Sequence, residues 1–158
     1  GCDRMEQTGD SSAPSETLPP SDVPQLRGVQ PDELGAVWDA VLPLLLSSLA
    51  YGDNRVWPDH ILKALIDGEM QLWVAEGDGL EAMCVTTITD YPAKRVCSIL
   101  WLAGRKLERW IHYQDVIAAW ARTKGCGVMD GWARPGLARI LRNDDRWKQT
   151  HVIMRRYI

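Results

Sequence analysis

The stretch "SILWLAGRKLERW" (Ser98–Trp110) decides how the chain folds. Its first half is apolar at successive positions rather than alternate ones, which marks a strand covered on both faces and therefore central in a sheet. Ala103-Gly104-Arg105-Lys106 ends that run, and from Leu107 the apolar residues return at helical spacing. One physical use for a central strand that passes through a glycine and two cations into a helix start is anion binding. The first N–H groups of a helix, with the positive end of its peptide dipoles, attract an anion, and glycine lets the backbone approach it. A short soluble connection between strand and helix would use the same residues, so both readings stand at this point.

Downstream, "LERWIHYQDVIAAWARTKGC" places Leu107, Trp110, Ile111, Ile117, Ala118 and Ala121 on one side of a helix that closes at Lys124-Gly125. "VMDGWA" then reads as a strand, "PGLARILRND" as a short helix and "WKQTHVIMRRYI" as a closing strand. Upstream, Tyr91-Pro92-Ala93-Lys94 is a turn, and "QLWVAEG" and "EAMCVTTITDY" flank a Gly77-Asp78-Gly79 hairpin. Before them come a short strand, "LRGVQ", and a helix opened by Pro31-Asp32-Glu33. That helix carries Leu34, Val37, Trp38, Val41 and Leu45 and is expected to kink at Pro43; "WPDHILKALIDGEM" supplies a second, shorter one. The order is β-α-α-β-β-β-α-β-α-β. An antiparallel meander thus leads into a parallel crossover, giving an α/β (α+β) mixed sheet with helices on both faces.

The chain of 158 residues fits one domain with a sizeable core. Residues 1–24 are rich in Ser, Thr, Pro and acids and read as a flexible arm, which leaves residues 25–158 as the folded domain. Cations gather toward the other end: Arg139, Arg142, Arg146, Lys148, Arg155 and Arg156, interleaved with Trp147 and Tyr157. They read as a solvated helix face and strand edge rather than a grip on nucleic acid. "AVLPLLLSSLA" is the nearest approach to a membrane span and is short and broken by Pro43, so no membrane partner is expected. Without a secretory signal or a CxxC, the four cysteines read as reduced thiols in a cytoplasmic setting. His60, His112 and His151 lack metal-ligand spacing, and no P-loop or GxGxxG occurs. Cys97 or Cys126 could form a thiol–imidazole pair with His112 only if folding brings them together.

That order of elements, with the long helix directly after the central strand, resembles the GNAT superfamily of N-acetyltransferases. More narrowly, "MQLWVAEGDG", "TTITDYPAKRVCSILWLAGRKLERW", "AWARTKGCGVMDGWARPGLARIL" and "WKQTHVIMRRYI" resemble the small GNAT-like proteins of tailed bacteriophages, over about Leu26–Ile158. The resemblance implies acetyl-CoA as cofactor, bound where the central strand splays from the next one. Leu100, Trp101 and Leu102 would line pantetheine, and Ala103, Gly104, Arg105 and Lys106 would face the pyrophosphate. The sequence departs from the family pattern in two ways. "AGRKLERW" has one glycine where the motif has two, and "WARPGLARIL" lacks the tyrosine that many members use as an acid. Asp90 and Asp130, at strand ends, are the candidate bases for an acyl-acceptor amine. The alternative expectation is a non-catalytic phage virion component, a pseudoenzyme whose arm docks on other virion proteins. Host cytoplasm or the phage particle would then be its location.

Overall fold

The computed structural model describes residues 23–51 and 55–158. Strand β1 (Leu26–Val29) leads through a single 3-10 turn into helix α1 (Leu34–Ala50), followed by α2 (Pro58–Ile66). The hairpin β2 (Met70–Gly77) and β3 (Gly79–Asp90) comes next, then β4 (Arg95–Gly104) and helix α3 (Trp110–Thr123). Strand β5 (Val128–Gly131) and helix α4 (Pro135–Leu141) complete the regular elements. The sheet order is β1-β2-β3-β4-β5; β1 to β4 pair antiparallel, and β4 pairs β5 in parallel. The mixed α+β sheet expected from the sequence is therefore the one observed. The arm read for residues 1–24 lies, as far as residue 22, outside the described residues; Val23 packs against the α3 side of the core.

Two apolar clusters sandwich the sheet. On one face Val37, Val41, Leu45 and Leu49 of α1 meet Leu72, Val74, Met83, Val85 and Ala103. On the other, Trp110, Ile117 and Ala121 of α3 meet Trp73, Cys84, Cys97 and Leu102. β4 feeds both, which is why its residues are apolar in succession. The buried stripe of α3 is Trp110, Tyr113, Gln114, Ile117 and Ala121. Ile111, expected inside, is exposed, because Tyr113 and Gln114 fall on the inward side and carry their polar ends with them.

Helix α1 continues past Pro43 to Ala50. Pro43 lies on the exposed side, so the carbonyl four residues back that loses its N–H partner can be served by water. By length and composition the stretch Pro31–Ala50 is long and apolar enough to cross a membrane, although Pro43 interrupts its apolar run. Here its apolar stripe packs on the sheet.

The expected closing strand does not form. Lys148–Ile158 has no strand pairing and is exposed throughout. Val152, Ile153 and Met154 are consecutive rather than alternate, so pairing would bury no single face, and β5 offers an edge of only four residues. The chain before this tail is instead tied to α3. Buried Gln114 donates from Nε2 to Asp144 Oδ2 (3.0 Å), and Trp147 Nε1 donates to Gln114 Oε1 (2.5 Å). Arg146 joins Asp144 (2.8 Å) and Asp115 (2.7 Å). One member of the cationic series, Arg146, and the interleaved Trp147 are thereby committed to holding α3.

The hydrogen bonds from Arg146 hold the Asp144 carboxyl down at about 2, against 3.8 for a free aspartate. A depressed carboxylate stabilises the fold fully above the unfolded value, and that contribution disappears as pH falls through the folded one. Urea unfolding should therefore show wild type more stable than Asp144→Asn by about 1–2 kcal/mol near neutrality. The gap should close between about pH 4 and pH 2.

Candidate functional site

β4 and β5 run together for only four pairs, from Val96–Val128 to Ile99–Gly131. β4 continues to Gly104 beside β3, so Leu100 to Gly104 have no β5 neighbour. The cause of the parting lies in the register with β3. Val85 pairs Trp101 and Thr86 pairs Ile99, leaving Leu100 as an extra residue. Such a bulge bends its strand and shifts the side-chain alternation by one. Cys97 and Ile99 belong to the α3-side cluster, Trp101 and Ala103 to the α1 side, and Leu102 again to the α3 side.

Of the indoles near the parted strands, Trp101 packs on the α1-side cluster, Trp110 is buried in the α3-side cluster and Trp132 is 74% exposed. A guanidinium meets the β4 edge: Arg134, just before α4, donates from Nη2 to the Leu102 carbonyl (3.2 Å). The same guanidinium lies 4.5 Å from the centre of the Tyr51 ring at the end of α1. In an extended strand the N–H and C=O of one residue point the same way, so the Leu102 N–H faces the slot between the parted strands too.

Gly104 has a packing reason to be glycine. A Cβ there would stand 2.5 Å from the Glu81 carbonyl oxygen and 2.7 Å from Ala82 Cα, which is backbone and cannot turn aside. Arg105 N–H then donates to that Glu81 carbonyl (2.8 Å), fixing the start of the connection. Lys106 takes the left-handed conformation (φ 56°) at the entry to a 3-10 turn over Leu107–Arg109 that runs into α3. Arg105 and Lys106 both project into solvent. This leaves two exposed cations at a helix start, a setting in which an anion is favoured.

A half-buried ion pair underlies that entry. Arg109 Nη1 meets Glu81 Oε2 at 2.7 Å, with 12% and 19% of the side chains exposed. Nearby Tyr113 has its phenol pushed up, first by burial and then by the Glu81 charge, so it stays protonated. Arg109→Ala strands the Glu81 carboxylate and should lower stability. Pairing Arg109→Met with Glu81→Gln should recover most of that loss in denaturant titrations; no recovery would mean the pair is not what holds the turn.

The two carboxylates singled out from the sequence part company. Asp130 pairs with Ser98 one step before the divergence and accepts a hydrogen bond from its Oγ (2.6 Å). Because Cys97 and Ile99 point to α3, Ser98 and Asp130 share the opposite, α1-side face. Asp90 sits at the other end of β3, roughly 25 Å from the pair Ala82–Gly104. There it clasps Arg95 through both carboxylate oxygens (2.5 and 3.2 Å), and this hydrogen bonding holds it below its ordinary value. Asp90 serves the β3–β4 turn.

Two of the thiols, Cys84 and Cys97, are inert. Burial pushes Cys97 up to about 12 and Cys84 well above its ordinary value, so neither supplies a thiolate near neutrality. His60 Nδ1 accepts the Trp57 N–H (3.3 Å) and helps cap α2. Among the described residues no group of three His, Cys, Asp or Glu is placed to hold a metal ion. Arg134, Tyr51 and Glu81 were not foreseen. "ARP" before a helix marks a turn, but nothing in it says that the arginine reaches back to β4.

No protein-family model matches the sequence, and no curated protein does either. Solved structures do match, along nearly their whole length. One is a ribosomal-protein-alanine N-acetyltransferase from Brucella melitensis biovar Abortus 2308, at 14% identity over 84% of this chain and 99% of that one, with a TM-score of 0.63. Another is an aminoglycoside acetyltransferase from an uncultured soil metagenomic sample, solved in complex with sisomicin (14% identity, 85% and 95% covered, TM-score 0.59). A third is a predicted acetyltransferase from Clostridium acetobutylicum, solved with acetyl-CoA (14%, 80% and 95%, TM-score 0.58). At these identities the likeness is one of fold, and the fold is that of the GNAT acetyltransferases.

Proposed function

We propose that the protein is an acyl-CoA-dependent N-acyltransferase that works at the parting of β4 and β5. The observation that carries this reading is the bulge at Leu100 with the β4 edge beyond it, from Leu100 to Gly104, where β5 no longer pairs. An open main-chain edge suits the amide-rich pantetheine arm, and the two exposed cations at the helix start suit its phosphates. Leu100, Trp101 and Leu102 would hold the arm, and Arg105 and Lys106, beyond Ala103 and Gly104, the pyrophosphate. Acetyl-CoA, when bound, supplies an activated thioester.

The chain's own part is positioning and proton handling. Asp130 presents a carboxylate on the α1-side face beside the slot, steadied by the Ser98 hydroxyl. There it can take the proton that an acceptor amine must lose before it attacks. Arg134 occupies the Leu102 carbonyl, so use of that edge requires the guanidinium to release it. Titration calorimetry with acetyl-CoA should show saturable binding. No heat at millimolar ligand would remove the reading.

Arg134 also favours a second reading, in which the edge is closed for good and the fold serves as a non-catalytic subunit, as in a phage particle. On that reading Arg134→Ala gains nothing. On the enzyme reading it exposes the edge and changes the measured affinity.

A further inference from the structure

At the end of the sheet away from the β4–β5 parting, a groove of about 510 Å³ opens between the C-terminal ends of α2 and α3. Its size is that of a small-molecule site. It exists because β2 outruns β1: pairing stops at Val29–Leu72, so Met70 and Gln71 have no β1 neighbour. Leu65 and Met70 give it an apolar floor, and the half-buried indole of Trp120 forms a wall. Trp120 is held edge-on against Trp73, with ring centres 5.1 Å apart.

The polar groups at the rim are of complementary kinds. Gln71 is fixed by donating from Nε2 to the carbonyls of Val29 (3.0 Å) and Leu72 (2.8 Å), which leaves its Oε1 as an acceptor. Glu69 supplies a carboxylate and Lys124 an ammonium; both are exposed, and neither side chain is in an ion pair among the described residues. The ends of α2 and α3 turn the negative poles of two helix dipoles toward the same space. Such a site would suit an ammonium between Glu69, Gln71 and the helix ends, a carboxylate at Lys124, and an apolar body against Trp120 and the floor.

We propose that this groove binds a small amino-acid-like zwitterion with an apolar or aromatic body, at a site separate from the transfer slot. The proposal does not depend on acyl transfer. The probe is L-phenylalanine, titrated into the full chain alongside L-phenylalaninamide, which lacks the carboxylate, and N-acetyl-L-phenylalanine, which lacks the ammonium. Calorimetry should show saturable binding of L-phenylalanine, with each derivative about tenfold weaker, the worth of one charge-assisted contact. The Trp120 indole resonance, assigned through Trp120→Phe, should shift on addition. Lys124→Met should erase the preference over the amide, and Glu69→Gln the preference over the N-acetyl form. Both substitutions are on the surface and leave the core intact. Asp130→Asn should leave L-phenylalanine binding unchanged, which separates this groove from an acceptor site at the slot. Failure to saturate at tens of millimolar, equal binding of all three compounds, or loss of binding in Asp130→Asn would each overturn the proposal.

Discussion

Gly104→Ala should lower the unfolding free energy by about 2–4 kcal/mol, a large loss for the gain of one methyl group. The new carbon would sit 2.5 Å from the Glu81 carbonyl oxygen, inside any real contact, and its other near neighbours are Ala82 Cα at 2.7 Å and Cβ at 2.9 Å. No flexible side chain can give way. β4 must therefore lift from β3 at the position where Arg105 donates to Glu81. Gly35→Ala in α1 is the control, because nothing lies within 4 Å of its missing Cβ. That change should raise stability by about 0.5–1 kcal/mol through helix propensity. Chemical denaturation of the two variants beside wild type measures both. A Gly104→Ala protein as stable as wild type would show that the strands do not approach as closely as described.

The same close approach explains the glycine in Ser98–Trp110. Glycine at the mouth of a helix suggested a phosphate cradle, yet the close neighbour of Gly104 is the chain itself. Sequence pattern cannot separate the two uses, since both need the same missing side chain. The central position of β4 was legible, because Ile99 to Ala103 had to satisfy two apolar layers at once. Its bulge was not, because an extra residue in a continuous apolar run leaves no mark on the pattern. Arg134 was hidden for a related reason: a side chain that crosses from the start of α4 to a carbonyl on β4 is a tertiary event, thirty-two positions apart in the chain. The closing strand failed in the opposite direction, since β-branched residues in Lys148–Ile158 gave a local preference with no edge long enough to use it.

Asp130→Asn should leave acetyl-CoA binding intact and lower acyl transfer to an amine by about a hundredfold or more, the ordinary worth of a positioned base. The substitution keeps shape and keeps an oxygen for the Ser98 hydroxyl, so the hydrogen bond at 2.6 Å can persist while the basic group is lost. Asp90→Asn is the comparison. It breaks a clasp with Arg95 at the far hairpin and should leave turnover alone. Thiol release with a panel of primary amines reads both variants, and calorimetry on the same samples separates binding from transfer. If turnover survives in Asp130→Asn, the proton leaves by another route.

The account rests on a β4 edge that β5 no longer pairs beyond the bulge at Leu100. Backbone amide resonances, followed while coenzyme A is titrated into the labelled protein, test that edge directly. Shifts should concentrate on Leu100 to Lys106 and on Gly131 to Arg134, the two sides of the slot, and saturate together. Saturable shifts confined to other parts of the sheet, or none at millimolar coenzyme A, would contradict it.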